Sequence, residues 1–282
     1  MKSCNLIFVI ALFMLVGFNQ VNSKNDLLGA KKTVSVTQSQ ISYQSRLTAA
    51  PIEGSKADSI KKVIALFKEG DIDKIAEKIA FPLQREYPIP NINNKDEFKQ
   101  RFAEVFDEVL IDKIVNSTME QWSEMGWRGI MLDNGVLWMG NSDGVITAVN
   151  YQSDFEKKLR QDLIEKDRQS VHVSLQSFKE PIYKIKTKNY LIRIDKLNNS
   201  EYRYACWTIG KNESSKPDIV LKNGEWLSQG SAGNHVVIFT NGNYIYKVYR
   251  NIIGEANTPD FTLEVEKAGK KILNESGSFL VE

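Results

Sequence analysis

The spacing of apolar side chains predicts two helices where the folded chain begins, near residue 56. One set recurs three and four residues apart, as on one face of a helix, and consists of Ile60, Val63, Ile64 and Phe67. A second set with the same spacing consists of Ile72, Ile75, Ala76 and Ile79. Gly70 ends the first helix and Pro82 the second, because glycine suits a helix C-terminus and proline cannot continue a helix.

A third helix is predicted over residues 95–110. Asn94 can cap the free N–H groups at its start while Glu97 reaches back toward the cap. Its apolar stripe is bulky and consists of Phe98, Phe102, Val105, Phe106 and Val109. The stripe indicates a helix that packs on a large hydrophobic surface.

Short strands follow these helices. Apolar runs at residues 127–132 and 136–139 flank Asp133-Asn134-Gly135, and Asn-Gly between apolar runs is a strong hairpin signal. A further strand is expected at residues 145–149. Helices followed by an antiparallel sheet predict one α+β domain over residues 56–151.

The apolar period then changes from the helical to the alternating pattern. Ser153 and Glu156 predict the start of a connecting helix over residues 152–170, with Phe155, Leu159 and Leu163 on its apolar face. Beyond it, alternation at residues 171–175, 190–194, 236–238 and 261–265 predicts strands. Asn223-Gly224 and Asn241-Gly242 predict hairpin turns. Residues 171–282 are therefore expected to form an all-β domain, either a sandwich or a barrel.

The order of elements resembles that of the nuclear-transport-factor-2-like, or cystatin-like, superfamily. The resemblance is carried by the helix pair that ends at residues 79–83, the Phe-rich helix at 95–110 and the segment at 129–138. It implies a cone, in which helices pack on a curved antiparallel sheet. Residues 216–221, 230–235 and 241–244 give the C-terminal half a resemblance to a β-module of uncharacterised secreted bacterial proteins, which implies no activity.

The N-terminus reads as a secretory signal peptide, residues 1–23. Lys2 provides the positive end, residues 6–18 form a short apolar run, and Val21 and Ser23 are small residues before a cleavage site. The run is shorter than the roughly 20 residues of a membrane span. Residues 24–55 are polar and are interpreted as a flexible tether. The protein is therefore expected to be exported to the periplasm or the extracellular space, with no membrane span after cleavage.

Composition excludes several classes of protein and partner. With 42% hydrophobic and 26% charged residues, the chain is neither disordered nor collagen-like nor a coiled coil. A net charge of only +2 gives no concentrated basic surface for nucleic acid. Cleavage would remove Cys4 and leave Cys206 alone, in a strand-like run where a buried, unreactive thiol is expected.

The sequence offers little catalytic chemistry. It contains no G-x-S-x-G, Walker A, H-E-x-x-H or G-x-G-x-x-G motif, and its two histidines, His172 and His235, leave little material for a metal site. A Ser231–His235 pair is interpreted as a glycine-rich turn. Four carboxylates in the first domain could each serve as a general base: Asp107, Glu108, Asp112 and Asp133. Nothing pairs two of them, so no catalytic residue, metal or cofactor is assigned.

These observations favour a non-catalytic protein that recognises a small molecule, a glycan or a protein. One candidate surface is the mouth of the cone with Trp127, Arg128 and Trp138, and the other is the loop with Asn234 and His235. The tryptophans could instead seal the sheet against the helices. Tyr202, Tyr204, Tyr244 and Tyr246 are expected to line the β-domain core, or else an exposed face. An enzyme acting on a small apolar molecule in the cone pocket and an inhibitor of a secreted hydrolase remain as alternatives.

Export predicts a specific new N-terminus. The mature chain should begin at Lys24, because Val21 and Ser23 mark the cleavage site. Intact-mass analysis of the protein from the periplasmic or culture fraction measures this directly. Recovery of the unprocessed chain from the cytosol would contradict export.

Overall fold

A computed structural model describes residues 52–141, 143–230 and 233–280, all of which lie in one compact unit, Ala50–Glu282. The predicted signal peptide, most of the predicted tether and Ser231 lie outside the described residues. The fold is α+β, with a helical N-terminal part, a four-stranded antiparallel sheet and a closed eight-stranded barrel. The predicted fold class is confirmed at this level, and the all-β part is a barrel.

Five α-helices precede the barrel within the described part of the chain. They are α1 (Ser55–Glu69), α2 (Ile72–Ala76), α3 (Lys95–Val105), α4 (Glu108–Val115) and α5 (Asp154–Ser170). Local capping explains where several of them begin. The side chain of Asp71 accepts the first N–H groups of α2, and that of Asn94 accepts the N–H of Glu97 in α3 at 3.0 Å. Gly70 ends α1 in the left-handed conformation, as expected.

The prediction of one helix over residues 95–110 is wrong. The helix stops at Val105, and Asp107 becomes the cap of α4 by accepting the N–H of Leu110 at 2.9 Å. A capping carboxylate requires an extended backbone at its own position, so the two helices cannot be continuous. Val109, expected on the apolar stripe, is consequently 62% exposed.

The first sheet pairs its strands in chain order, and the predicted hairpin at residues 133–135 is confirmed. Its strands are β1 (Trp122–Glu124), β2 (Ile130–Leu132), β3 (Leu137–Met139) and β4 (Ile146–Val149). One face of the sheet joins the helices in a hydrophobic core that includes Phe67, Phe98 and Phe106. Strand β2 is shorter than predicted, because residues 126–128 form a 3-10 turn.

Eight strands form the barrel, and each is antiparallel to its neighbours in the chain. They are β5 (Glu180–Thr187), β6 (Tyr190–Lys196), β7 (Tyr202–Thr208), β8 (Ile219–Ser228), β9 (His235–Asn241), β10 (Tyr244–Arg250), β11 (Phe261–Lys267) and β12 (Lys270–Phe279). Pairing of β12 with β5 closes the barrel. A Cβ on Gly277 would lie 2.8 Å from the Ile185 side chain, so the closing strands approach closely only because residue 277 is glycine.

Side chains fill the barrel interior, as in other eight-stranded barrels of small diameter. Tyr204 is fully buried there, and Tyr202, Tyr244 and Tyr246 pack against the same core, which confirms the core interpretation of the tyrosines. Cys206 is a free, buried cysteine, as expected, and burial raises the pKa of its thiol to about 11.

Two strand-level predictions in the β-part are wrong. Residues 171–175 do not form a strand, because Val173–Leu175 is a 3-10 turn. Asn223-Gly224 lies inside β8 at a register irregularity and does not form a hairpin. Gly224 is needed there, since its Cβ would lie 2.4 Å from the ring of Phe239. The Asn241-Gly242 hairpin between β9 and β10 is confirmed.

Helix α5 buries charged residues where the sequence predicted an apolar face. Phe155 is 54% exposed, whereas Glu156 and Asp167 are buried. Arg85 explains the burial of Glu156: its Nε donates to that carboxylate at 2.6 Å, and its Nη1 donates to the carbonyl of Val149 at 2.6 Å. An apolar pattern cannot reveal this face, because its partners are distant in sequence.

The far end of α5 enters an ionic cluster on the outer wall of the barrel. The cluster consists of Asp167, Lys184, Arg193, Asp195, Arg203 and Glu213. Burial alone would raise the pKa of Asp167, but hydrogen bonds and charges from Arg193 and Lys184 outweigh it and lower that pKa. The middle of α5 is held by Arg160, which pairs with Glu180 at 2.6 Å and with Glu86 at 3.1 Å.

None of the helices in the described ranges combines the length and the apolar character that a membrane crossing demands.

The Arg85–Glu156 pair predicts a large loss of stability on one substitution. Glu156→Gln leaves a buried guanidinium without its counter-charge and should lower the free energy of unfolding by about 3–5 kcal/mol. Urea denaturation measures the loss. Asp162→Asn makes the same chemical change on an exposed face of α5, at a pair with Lys158, and should shift stability by less than about 0.5 kcal/mol.

The double variant Arg85→Met/Glu156→Met should recover much of that loss, because no buried charge is left unpaired. A loss below about 1 kcal/mol in Glu156→Gln would show that the pair is not needed to seat the helix.

Candidate functional site

Trp127, Arg128 and Trp138 form one surface patch, which we call the tryptophan–arginine surface. Trp127 is 74% exposed, the most exposed large hydrophobic side chain in the described part of the protein. The guanidinium carbon of Arg128 lies 5.8 Å from the ring centre of Trp138, within the range of a cation–π contact. The structure therefore brings together all three residues that the sequence proposed for this surface.

Glycine geometry presents Trp127 and Arg128 to solvent. Gly126 begins the 3-10 turn and Gly129 follows it, with φ angles of 62° and 102°. A Cβ on Gly129 would lie 2.2 Å from the carbonyl oxygen of Met139, so the turn requires glycine there. The side-chain amide of Asn141 donates to the Gly126 carbonyl at 2.9 Å and ties the turn to the strand end.

Trp138 lies on the face of the sheet that points away from the helices. Its neighbours in β3, Leu137 and Met139, are fully buried in the core, and side chains alternate along a strand. Trp138 pairs across the sheet with Met131 and Ala148, on the same outer face. It is Trp122, and not Trp127 or Trp138, that belongs to the buried core.

The charge of Arg128 is uncompensated within the described residues, where no carboxylate lies within ion-pair distance of its guanidinium. The carboxylate of Asp133, by contrast, has partners within the fold. It accepts a hydrogen bond from Lys113 at 2.9 Å and another from Gln121 at 3.2 Å. The patch therefore offers an exposed ring and an available planar donor, which suit an anionic or carbonyl-rich partner.

Asn234 has a structural use in the second candidate loop. Its Oδ1 accepts the backbone N–H groups of Ile252 and Ile253 at 2.8 and 2.9 Å, and its Nδ2 donates to the Ile253 carbonyl at 2.8 Å. The amide thus holds one loop at this end of the barrel to another, and these bonds occupy both its oxygen and its nitrogen.

His235 is 6% exposed and hydrogen-bonded through both ring nitrogens. Nδ1 lies 2.7 Å from the carbonyl oxygen of Gly233, which can only accept, so Nδ1 carries a proton. Nε2 then accepts from the hydroxyl of Tyr183 at 2.7 Å. Burial, reinforced by the positive charge of Arg250, lowers the pKa of His235, and burial raises the pKa of Tyr183 to about 12. The pair is therefore neutral near pH 7.

Sequence reasoning missed the residues that surround His235. Trp226 stacks on its ring with 3.8 Å between ring centres. Arg250 lies 5.0 Å from the ring centre of Phe261 and 4.9 Å from that of Phe279. The alternation within each strand could place each residue on the inner face, but only barrel closure brings Tyr183 on β5 to the residues of β8–β12 at this end.

The carboxylates considered for catalysis differ in what they contact. Asp107 caps α4 and accepts from the Tyr151 hydroxyl at 2.8 Å. Glu108 and Asp112 are exposed on α4. His172 interacts with Ser174 in the 3-10 turn before the barrel. No group of three or more metal-ligating side chains is present among the residues described.

Comparison of the chain with protein-family models, with curated proteins and with solved structures finds no match.

The lowered pKa of His235 predicts a pH-dependent stability. Below the ordinary histidine pKa of about 6.5, the unfolded chain takes up a proton that the folded protein resists, so stability should fall as the pH falls. The expected contribution is up to about 1.4 kcal/mol per pH unit between pH 6.5 and the folded-state pKa. Urea denaturation of the wild type and of His235→Gln at several pH values measures this contribution as the difference between their pH slopes.

His172→Gln is the control, because it removes the other histidine and should keep the wild-type pH slope. A folded-state pKa for His235 at or above 6.5, measured by NMR titration, would contradict the neutral histidine–tyrosine pair.

Proposed function

We propose that this is an exported, non-catalytic recognition protein whose partner contacts the tryptophan–arginine surface. The observation that carries the proposal is the exposure of Trp127 beside the guanidinium of Arg128, which has no ion-pair partner among the residues that the structure describes. Tryptophan and arginine are the residue types most enriched where binding energy concentrates. Signal-peptide features at residues 1–23 support export to the periplasm or the extracellular space.

The energetic argument begins with the exposed indole. Burying most of its surface on binding would contribute about 3–4 kcal/mol. A single exposed apolar side chain is common on protein surfaces and needs no explanation. Here, however, Arg128 follows Trp127 directly in the chain, and its guanidinium carbon lies 5.8 Å from the ring centre of Trp138. The combination provides apolar contact area and directional hydrogen-bond donors at one place.

We further propose that the N-terminal part is a cone of the nuclear-transport-factor-2-like kind. The packing of helices α1, α3 and α4 on one face of an antiparallel sheet supports this. The tryptophan–arginine surface then lies on the outer face of that sheet. This location favours a protein or glycan that approaches from outside over a small molecule enclosed between sheet and helices.

The engagement of candidate bases supports a binding function over an enzyme. Asp107 and Asp133 are both held by hydrogen bonds within the fold, and His235 uses both of its ring nitrogens. Asn234 is likewise tied to a loop backbone. The loop with Asn234 and His235 is therefore the weaker of the two candidate surfaces.

The test screens the purified protein against a glycan array and against soluble proteins from the same compartment, and titrates each hit by calorimetry. Trp127→Ala and Arg128→Ala should each lower the affinity for the recognised partner by about ten-fold or more, while leaving the stability of the protein unchanged. Phe155→Ala is the matched control, because it removes another exposed aromatic ring, on α5. Near-UV circular dichroism checks folding.

Unchanged affinity in folded Trp127→Ala and Arg128→Ala proteins, with loss in an Asn234→Ala/His235→Ala double variant, would move the site to the barrel loop.

A further inference from the structure

A cleft of about 310 Å³ opens between α1, α2 and the turn that precedes β4. It shares no residue with the tryptophan–arginine surface. Its volume lies at the lower end of the range for small-molecule sites. Since liquid water occupies about 30 Å³ per molecule, the cleft has room for about ten non-hydrogen atoms.

The floor of the cleft is apolar. Val63, which is almost fully buried, and Leu66 lie one helical turn apart on α1 and line the cleft. Gly144 forms the opposite wall with a φ of +66°, and a Cβ there would lie 3.5 Å from the Val63 side chain. A glycine at this position thus keeps space open above the apolar floor.

Three lysines lie on the rim of the cleft, Lys62, Lys74 and Lys78. The charge of Lys74 is neutralised by a carboxylate that does not line the cleft. Lys74 pairs with Glu69, which raises the pKa of the Lys74 ammonium group. Two carboxylates also lie on the rim, and of these only Glu77 has an ion-pair partner in the described ranges. Glu77 lies 4.0 Å from the ammonium of Lys95, and the carboxylate of Asp143 accepts the N–H of the residue two positions later.

Two ammonium groups remain without a counter-ion. Lys78 donates to the backbone carbonyl of Asp143 at 3.3 Å, and no carboxylate in the described ranges lies within ion-pair distance of it. Lys62 has no ion-pair partner in those ranges either. The cleft therefore combines an apolar floor with two positive charges that the fold itself leaves unpaired.

We propose that this cleft binds a small amphiphilic carboxylate of the size of octanoate. Its hydrocarbon chain contacts Val63 and Leu66, and its carboxylate pairs with Lys62 and Lys78. The apolar floor disfavours a simple inorganic anion, and the excess of lysines over carboxylates in the lining, three to two, disfavours an aliphatic amine.

Octanoate itself is the probe, titrated into the purified protein at pH 7 by calorimetry and by two-dimensional NMR. A ligand of this size should bind with a dissociation constant on the order of 0.1–1 mM and shift the amide signals of Val63 and Gly144. Octylamine and inorganic phosphate should each bind at least ten-fold more weakly than octanoate.

The double variant Lys62→Gln/Lys78→Gln should lose at least ten-fold in octanoate affinity. Lys61→Gln/Lys68→Gln is the matched control, because it removes the same charge from exposed positions of α1 that do not line the cleft. Octanoate binding that the first double variant leaves unchanged, equal binding of octylamine, or no signal shift up to about 10 mM would each overturn the proposal.

Discussion

The burial of charge along α5 is the constraint on which the rest of the structure depends. Glu156, Arg160 and Asp167 lie on the side of this helix that packs against the protein. A buried ion without a partner costs several kcal/mol, so each of these groups must meet its counter-ion. Arg85, from the helical part, is the counter-ion of Glu156. Lys184 and Arg193, from the barrel, are the counter-ions of Asp167. The position of α5 against both parts is thereby determined.

This constraint explains the two-sided character of the neighbouring barrel wall. Ile192 and Ile194 point into the apolar interior, while Arg193 and Asp195 point outward and are fully buried beneath α5 and its following turn. Arg203 completes the wall by donating to Asp195 at 2.6 Å and to the carbonyl of Leu175 at 2.6 Å. Strands β6 and β7 are therefore buried on both faces. The inner face is covered by hydrocarbon, and the outer face by paired charge together with an apolar cluster that includes Ala205 and Trp207.

Structural residues differ from candidate binding residues in whether the fold itself supplies their hydrogen-bond or ion-pair partners. Most buried polar groups, including the ring of His235, are satisfied inside the fold, and so is the partly exposed amide of Asn234. Arg128, Lys62 and Lys78 differ, because the described part of the chain offers them no carboxylate. Apolar surface lies next to each of these cations, as the ring of Trp138 or as the floor formed by Val63 and Leu66. Both proposals rest on this pairing of unused charge with apolar area.

Much of the candidate tryptophan–arginine surface was predictable, because its residues are close in sequence. Asn134-Gly135 determines the hairpin locally, and the hairpin places Trp138 near Arg128. The face that Trp138 occupies was not predictable, since an alternating strand does not say which side the helices cover. The environment of His235 was not predictable either, because Tyr183 on β5 reaches it only through closure of the barrel.

By itself, the sequence determined what short-range chemistry can determine: helix starts at Asn94 and Ser153, the hairpins at 133–135 and 241–242, and the change to alternating strands. Only the tertiary structure decided the features that depend on distant partners. It made Asp107 a cap, buried the charged face of α5, and retained Gly224 within a strand beneath Phe239. The physical reason is that caps and turns are satisfied by neighbouring residues, whereas buried charges and close approaches depend on residues far along the chain.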